Sequence, residues 1–329
     1  MARAQIGYAA MLEQFPPRDC VELAVAAEAA GFRGVMAADH FQPWIPAQGQ
    51  AGFVWNVLAA IGERTTGDLG PGVTCPSYRM HPAIVAQASA TLESLYPGRH
   101  WLGLGSGEAL NEHAFADRWP ETPERIARMF EAIEVIQGLF TGRSARHAGT
   151  FFRHETIRLW TMPATPPPIY VATSGPVTAR RTGERCDGII TVGATEERIS
   201  TVLEAFAAGA RSAGKDPATL PRILQLHLSW APTDEEAMAN ALREWPNGGM
   251  KFPKQDIRSP HDFEAMAKLV RPEDFAGRML ISSDPERHRV EIQRFVDMGF
   301  DRLYLHNVGR NQQEWIEVFG RQVLPGLVA

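Results

Sequence analysis

The sequence predicts a (β/α)8 barrel of the TIM type, and three observations carry the prediction. Short apolar runs bounded by turn residues recur eight times in 329 residues. Amphipathic segments follow them, and regular alternation of this kind builds a parallel sheet. The runs are apolar on both faces, as parallel strands covered on both sides are. Eight repeats over this length favour a closed barrel over an open doubly wound sheet.

Taken in order, strands are expected near 5–9, 34–38, 69–74, 100–105, 169–173, 188–192, 223–231 and 302–306. Helix 18–30 carries Val21, Ala24, Val25 and Ala27 and stops at Gly31. Helix 82–95 opens on Pro82, where the missing N–H costs nothing, and ends before Pro97-Gly98. Helices 123–140, 196–213, 234–243, 285–298 and 312–323 complete the set. One barrel domain over 1–329 is expected, with insertions near 141–167 and 246–280. The first ends in a proline run from Pro163 to Pro168 and reads as a hairpin with a stiff crossover. The second follows the seventh strand and reads as a lid or binding loop.

Composition removes several classes of function. With 44% apolar and 22% charged residues the chain can bury a large core. A net charge of −5, with the cations dispersed, leaves no basic field for a nucleic-acid backbone. No stretch approaches the roughly 20 apolar residues that span a bilayer, and the first residues show no apolar leader core. Cys20, Cys75 and Cys186 are odd in number and far apart, so a reducing cytoplasm is expected. The histidines show no metal-ligand spacing, and neither a nucleophile elbow nor a P-loop is present, so no metal is expected.

Barrel enzymes build their sites at the C-terminal strand ends, which turns the sequence into a short list. His40 follows the second strand, where a near-neutral imidazole suits removal of a hydroxyl proton; the bland alternative is a loop-capping histidine. Asp39 is placed to orient His40 or to bond loop amides, and Trp44 to wall a ring-shaped substrate or to join the core. Glu108 follows Gly105-Ser106-Gly107, whose glycines let backbone approach a flat ligand, and its carboxyl suits proton exchange with that ligand. Ser174-Gly175-Pro176 and Thr191-Val192-Gly193 are small-residue turns that open helices and suit phosphate groups, or are plain turns. Lys254 and Arg278, in the long insertion, can clamp an anion or simply be solvated.

The segment Ala37-Ala38-Asp39-His40-Phe41-Gln42-Pro43-Trp44 resembles the second-strand motif of deazaflavin-dependent glucose-6-phosphate and secondary alcohol dehydrogenases. Arg79 to Gln87, Leu95 to Arg99 and Gly105 to Glu112 resemble later motifs of that group, and Ser282-Ser283-Asp284-Pro285 continues the likeness toward the C-terminus. These enzymes are luciferase-like hydride transferases. The resemblance implies a barrel that binds coenzyme F420, a deazaflavin, and acts as a homodimer.

By the same resemblance His40 and Trp44 contact substrate, Glu108 lies near the ring and Asp39 supports His40. Gly72-Val73, joined by a cis peptide in relatives, would hold the cofactor with Cys75, Ser106, Asn111, Ser174, Gly175, Thr191 and Val192. Either His40 or Glu108 takes the hydroxyl proton. The sugar-phosphate enzymes surround the phosphate with two lysines, an arginine and a threonine. Lys254, Arg278 and Thr191 match three of these, while Ala194 stands where the other lysine would be. A sugar 6-phosphate is therefore the first expected substrate and a secondary alcohol the second. An FMN-dependent monooxygenase on the same barrel and a barrel that only stores its cofactor are the remaining alternatives.

Overall fold

The computed structural model describes residues 4–327; residues 1–3 and 328–329, at the two ends of the expected domain, lie outside the described residues. The barrel strands are β1 (Gln5–Ala10), β2 (Val35–Ala37), β3 (Leu69–Pro71), β4 (Leu102–Leu104), β5 (Ile169–Ala172), β6 (Gly188–Val192), β7 (Arg222–Ser229) and β8 (Arg302–Asn307). All pair in parallel, in the order β3-β2-β1-β8-β7-β6-β5-β4. Bridges at Leu69–His100 and Thr74–Leu104 join β3 to β4 and close the ring. The extra strand Leu280–Ile281 adds in parallel to β7.

The lumen is filled with side chains, as a closed eight-stranded barrel requires. Ala9, Met36, Trp101, Tyr170, Ile190, Ile223 and Tyr304 form one cluster inside it. Trp101 lies at the centre, with ring centroids of Tyr170 and Tyr304 at 5.8 and 5.6 Å. Gly70 makes room for that indole: a Cβ there would come within 2.3 Å of it. Below this layer, Asp68 accepts from the Tyr304 hydroxyl at 2.7 Å and pairs with Arg302 at 2.9 Å. A 490 Å³ cavity lined by Arg99, Trp101, Pro166 and Arg302 opens at this N-terminal end, away from the rim that carries the short-listed residues.

Of the longer helices that link barrel strands, one was not expected from the sequence and one was expected only by its opening turn. Val54–Arg64 buries Val54, Trp55, Val57, Leu58 and Ile61, a helical spacing overlooked between two glycine-containing turns. Pro176–Arg185, expected only as a helix-opening turn, runs ten residues and buries Thr178, Ala179 and Thr182. The expected strands near 69–74 and 100–105 shorten to three residues each, because their ends pair only through the isolated bridges.

Within 141–167, strands Ala145–Ala148 and Arg153–Ile157 form an antiparallel hairpin. Within 246–280, helix Pro260–Ala267 is capped by Ser259, whose hydroxyl accepts from the Asp262 amide. Its Phe263 is buried against Trp44, so the insertion folds over the rim of the barrel.

Candidate active site

The rim site is assembled from the loops after β1, β2, β3 and β4 and from the 246–280 insertion. β1 ends at Ala10, and three residues on lies Glu13, which is fully buried. Its Oε1 is 2.5 Å from Nδ1 of His40, a close ion pair. Burial alone would lower the His40 pKa. Glu13, and more weakly Glu108 and Asp39, overcome that penalty, so it is raised above the usual imidazole value. Trp44 packs edge-to-face on His40 with centroids 5.1 Å apart. Trp245 and Phe263 hold Trp44 from the other side at 5.7 and 5.2 Å. The imidazole is thus fixed by a carboxylate and an aromatic wall.

Asp39, expected to orient His40, acts on it only through its charge and spends its polar contacts elsewhere. Its Oδ2 accepts from the Thr74 hydroxyl at 2.7 Å, and its Oδ1 pairs with Arg79 at 3.1 Å. Arg79 also binds the buried Glu112 through Nε at 2.9 Å. Both residues lie in the loop beyond Ala37, the last residue of β2, and that loop turns the Asp39 carboxylate toward Thr74 and Arg79 and the His40 ring toward Glu13. Glu13 was missed because only the loops after later strands were searched. Including the loop after β1 among the C-terminal strand ends would have found it.

Glu108 precedes the short helix Ala109–Glu112. Its Oε2 is buried and has no hydrogen-bond partner among the described residues. Burial raises its pKa above the usual carboxyl value, opposed by the charges of His40 and Lys254. Gly107 sits at φ +82°, and a Cβ there would meet Cys75 Sγ at 2.8 Å, so only glycine passes this turn without strain. Burial pushes the Cys75 thiol well above its usual range, so the sulfur is a neutral wall. Asn111 ties two loops together, its Oδ1 accepting from the amides of Phe41 at 2.9 Å and Gln42 at 3.1 Å. The Gly72–Val73 peptide is cis.

Lys254 reaches the same mouth. Its Nζ donates to the Asn247 carbonyl at 2.6 Å. Burial lowers its pKa, with Glu108 opposing and Arg278 reinforcing the shift. Arg278 is exposed and donates to the Met250 carbonyl at 3.1 Å. Ser174 and Gly175 lie at the end of β5, where the Gly175 amide donates to the Thr173 hydroxyl at 3.2 Å. Thr191 is buried and Val192 half-exposed at the end of β6. The structure therefore joins His40, Trp44, Glu108 and Lys254 through contact or charge, while Ser174, Gly175, Thr191 and Val192 sit on the β5–β6 arc of the rim.

This arrangement can move a proton at His40, hold a second proton at Glu108, and receive a flat group against glycine-rich backbone. The luciferase-like monooxygenase family matches residues 1–302. The F420-dependent glucose-6-phosphate dehydrogenase of Tsukamurella paurometabola is 37% identical over 100% of this chain and 99% of its own. That of Rhodococcus erythropolis is 38% identical over 99% and 98%. A solved F420-dependent secondary alcohol dehydrogenase, in complex with an F420-acetone adduct, superposes with a TM-score of 0.93 at 31% identity, covering 99% of this chain and 100% of that one. The chain belongs to the luciferase-like monooxygenase family, among the relatives of its F420-dependent dehydrogenases.

Proposed function

We propose that the chain is an F420-dependent dehydrogenase that oxidises a sugar 6-phosphate at a CH–OH group. The observation that carries this reading is the Glu13–His40 pair facing the same mouth as Glu108, whose Oε2 is buried without a partner. A planar cofactor fits that surroundings: glycines keep the backbone bare, and a partnerless buried carboxyl oxygen needs a polar atom brought to it. Gly72, Val73, Cys75, Ser106 and Asn111 would hold it on one side, with Ser174, Gly175, Thr191 and Val192 on the other. When bound, the deazaflavin supplies a carbon that accepts hydride, so the chemistry moves two electrons.

The protein's own part is proton handling and placement. His40 takes the hydroxyl proton at Nε2, the ring nitrogen turned away from Glu13, and Glu13 stabilises the imidazolium that results. Its raised pKa makes it a stronger base than a free imidazole. Glu108 holds a proton at Oε2, favoured by its burial. Trp44, Trp245 and Phe263 of the insertion keep water from the base. Lys254, Arg278 and Thr191 bind the phosphate.

A second reading, a secondary alcohol as substrate, draws on the uncharged Ala194 and on the TM-score of 0.93 with the secondary alcohol dehydrogenase. A homodimer and a cytoplasmic location belong to the same proposal. They rest on the family resemblance and on three cysteines that are free and buried. The test is a panel of sugar phosphates and secondary alcohols offered to the purified protein with F420, followed by loss of the cofactor's absorbance. Reduction by glucose 6-phosphate is expected. Reduction by secondary alcohols alone, or turnover only with FMN and oxygen, overturns the reading.

A further inference from the structure

His227 and His306 are register partners at the ends of β7 and β8, and neither takes part in the chemistry above. Their Nδ1 atoms lie 2.8 Å apart. So short a contact between two imidazoles holds one proton, with one ring donating and the other accepting. Burial depresses both: His227 is lowered to about 4, with Lys254 adding to the burial penalty, and His306 lies well below its usual value. Both rings are neutral at physiological pH.

The surroundings decide which ring carries the shared proton. His306 is fully buried, and its Nε2 finds no partner among the described residues. A buried orphan N–H is rarer in folded proteins than a buried orphan acceptor, because the donor has only one bond to make. The stable arrangement therefore puts the His306 proton on Nδ1, donating to His227 Nδ1. His227 must then carry its proton on Nε2. That nitrogen belongs to a half-buried ring, whereas His306 is sealed in.

The position of His227 gives this donor a use. Trp245 packs on both imidazoles, with centroids 4.8 Å from each, and continues to Trp44 and then to His40. The charge of Lys254 bears on His227 and on Glu108 alike. We propose that His227 is a specificity-determining residue whose Nε2–H donates to a hydroxyl or ring oxygen of a sugar substrate held at its phosphate by Lys254. A simple secondary alcohol has a single oxygen, which His40 engages, and leaves this donor unmet. A polyhydroxy substrate meets both. The inference rests on the sugar-phosphate reading and names the residue that would enforce it.

The test compares wild type, His227→Ala and His227→Gln with glucose 6-phosphate and isopropanol, each holoprotein first checked for cofactor binding. Loss of one neutral hydrogen bond is expected to raise KM for glucose 6-phosphate about tenfold with kcat nearly constant. The ratio of kcat/KM between the sugar phosphate and the alcohol should fall by the same factor. His227→Gln keeps a donor at similar reach and should recover most of it. Nitrogen-15 spectra of the ligand-free protein should show His227 protonated on Nε2 and His306 on Nδ1. The opposite tautomers, or equal losses on both substrates, overturn the proposal alone. A wild type that turns over isopropanol but no sugar phosphate overturns the substrate reading together with it.

Discussion

Nδ1 of His40 lies 2.5 Å from Oε1 of Glu13, and the two residues reach that contact from the loops that follow the neighbouring strands β1 and β2. The carboxylate is fully buried and the imidazole largely so, and Glu13 is the strongest charge acting on the ring. An imidazole held this way has its proton affinity raised and Nδ1 occupied, so that Nε2 is the nitrogen the proposed function assigns to substrate. Most of the expected behaviour of the site follows from this pair.

Replacing His40 by Ala should lower kcat at least about a hundredfold, as loss of a general base does. Cofactor affinity should stay within a few-fold, measured by fluorescence titration. Wild-type-like turnover would remove His40 from the reaction.

Glu13→Gln should move the pH profile. Glu13 raises the His40 pKa, and the base works only when neutral, so the acidic limb of kcat/KM should shift to lower pH in the variant. Stability should respond as well. The folded-state pKa of His40 lies above the unfolded value near about 6.5. The pair's contribution is therefore full below that value and is lost as pH rises through the folded pKa. The stability gap between wild type and Glu13→Gln should narrow toward alkaline pH in denaturant melts. An unshifted acidic limb would show that Glu13 serves packing alone.

Arg79 holds two buried carboxylates, those of Asp39 and Glu112. Arg79→Met strands both and should cost about 3 kcal/mol in denaturant titration. Adding Glu112→Gln should return part of the loss, because one of the stranded charges is then gone. A single variant as stable as wild type would mean that the two acids are already protonated in the fold.

Arg278→Ala should raise KM for a sugar phosphate about tenfold and leave isopropanol far less affected, since a charge-assisted contact to phosphate is removed. Equal effects on both substrates would reject Arg278 as a phosphate ligand.

The barrel was legible because its signal is local. Runs such as Ile169–Ala172 and Gly188–Val192 are apolar throughout, and an eightfold recurrence needs no knowledge of distant contacts. The helix Val54–Arg64 had the same kind of signal and was overlooked beside the turns that flank it. The placement of His40, Trp44 and Glu108 at one rim was legible because all three follow strand ends of a barrel.

Partnership was not legible. Asp39 is next to His40 in sequence, yet it bonds Thr74 and Arg79, while Glu13, 27 positions from His40, makes the contact. His227 and His306 are 79 positions apart and show no motif, but β7 and β8 lie side by side and bring their rings together. By itself the sequence determined the alternation of elements, the residues available at the rim and the absence of a clustered basic field or a long uninterrupted apolar stretch. Only the closed barrel decided which charge meets which ring. Side-chain direction depends on pleat and register, and both become defined once all eight strands are paired.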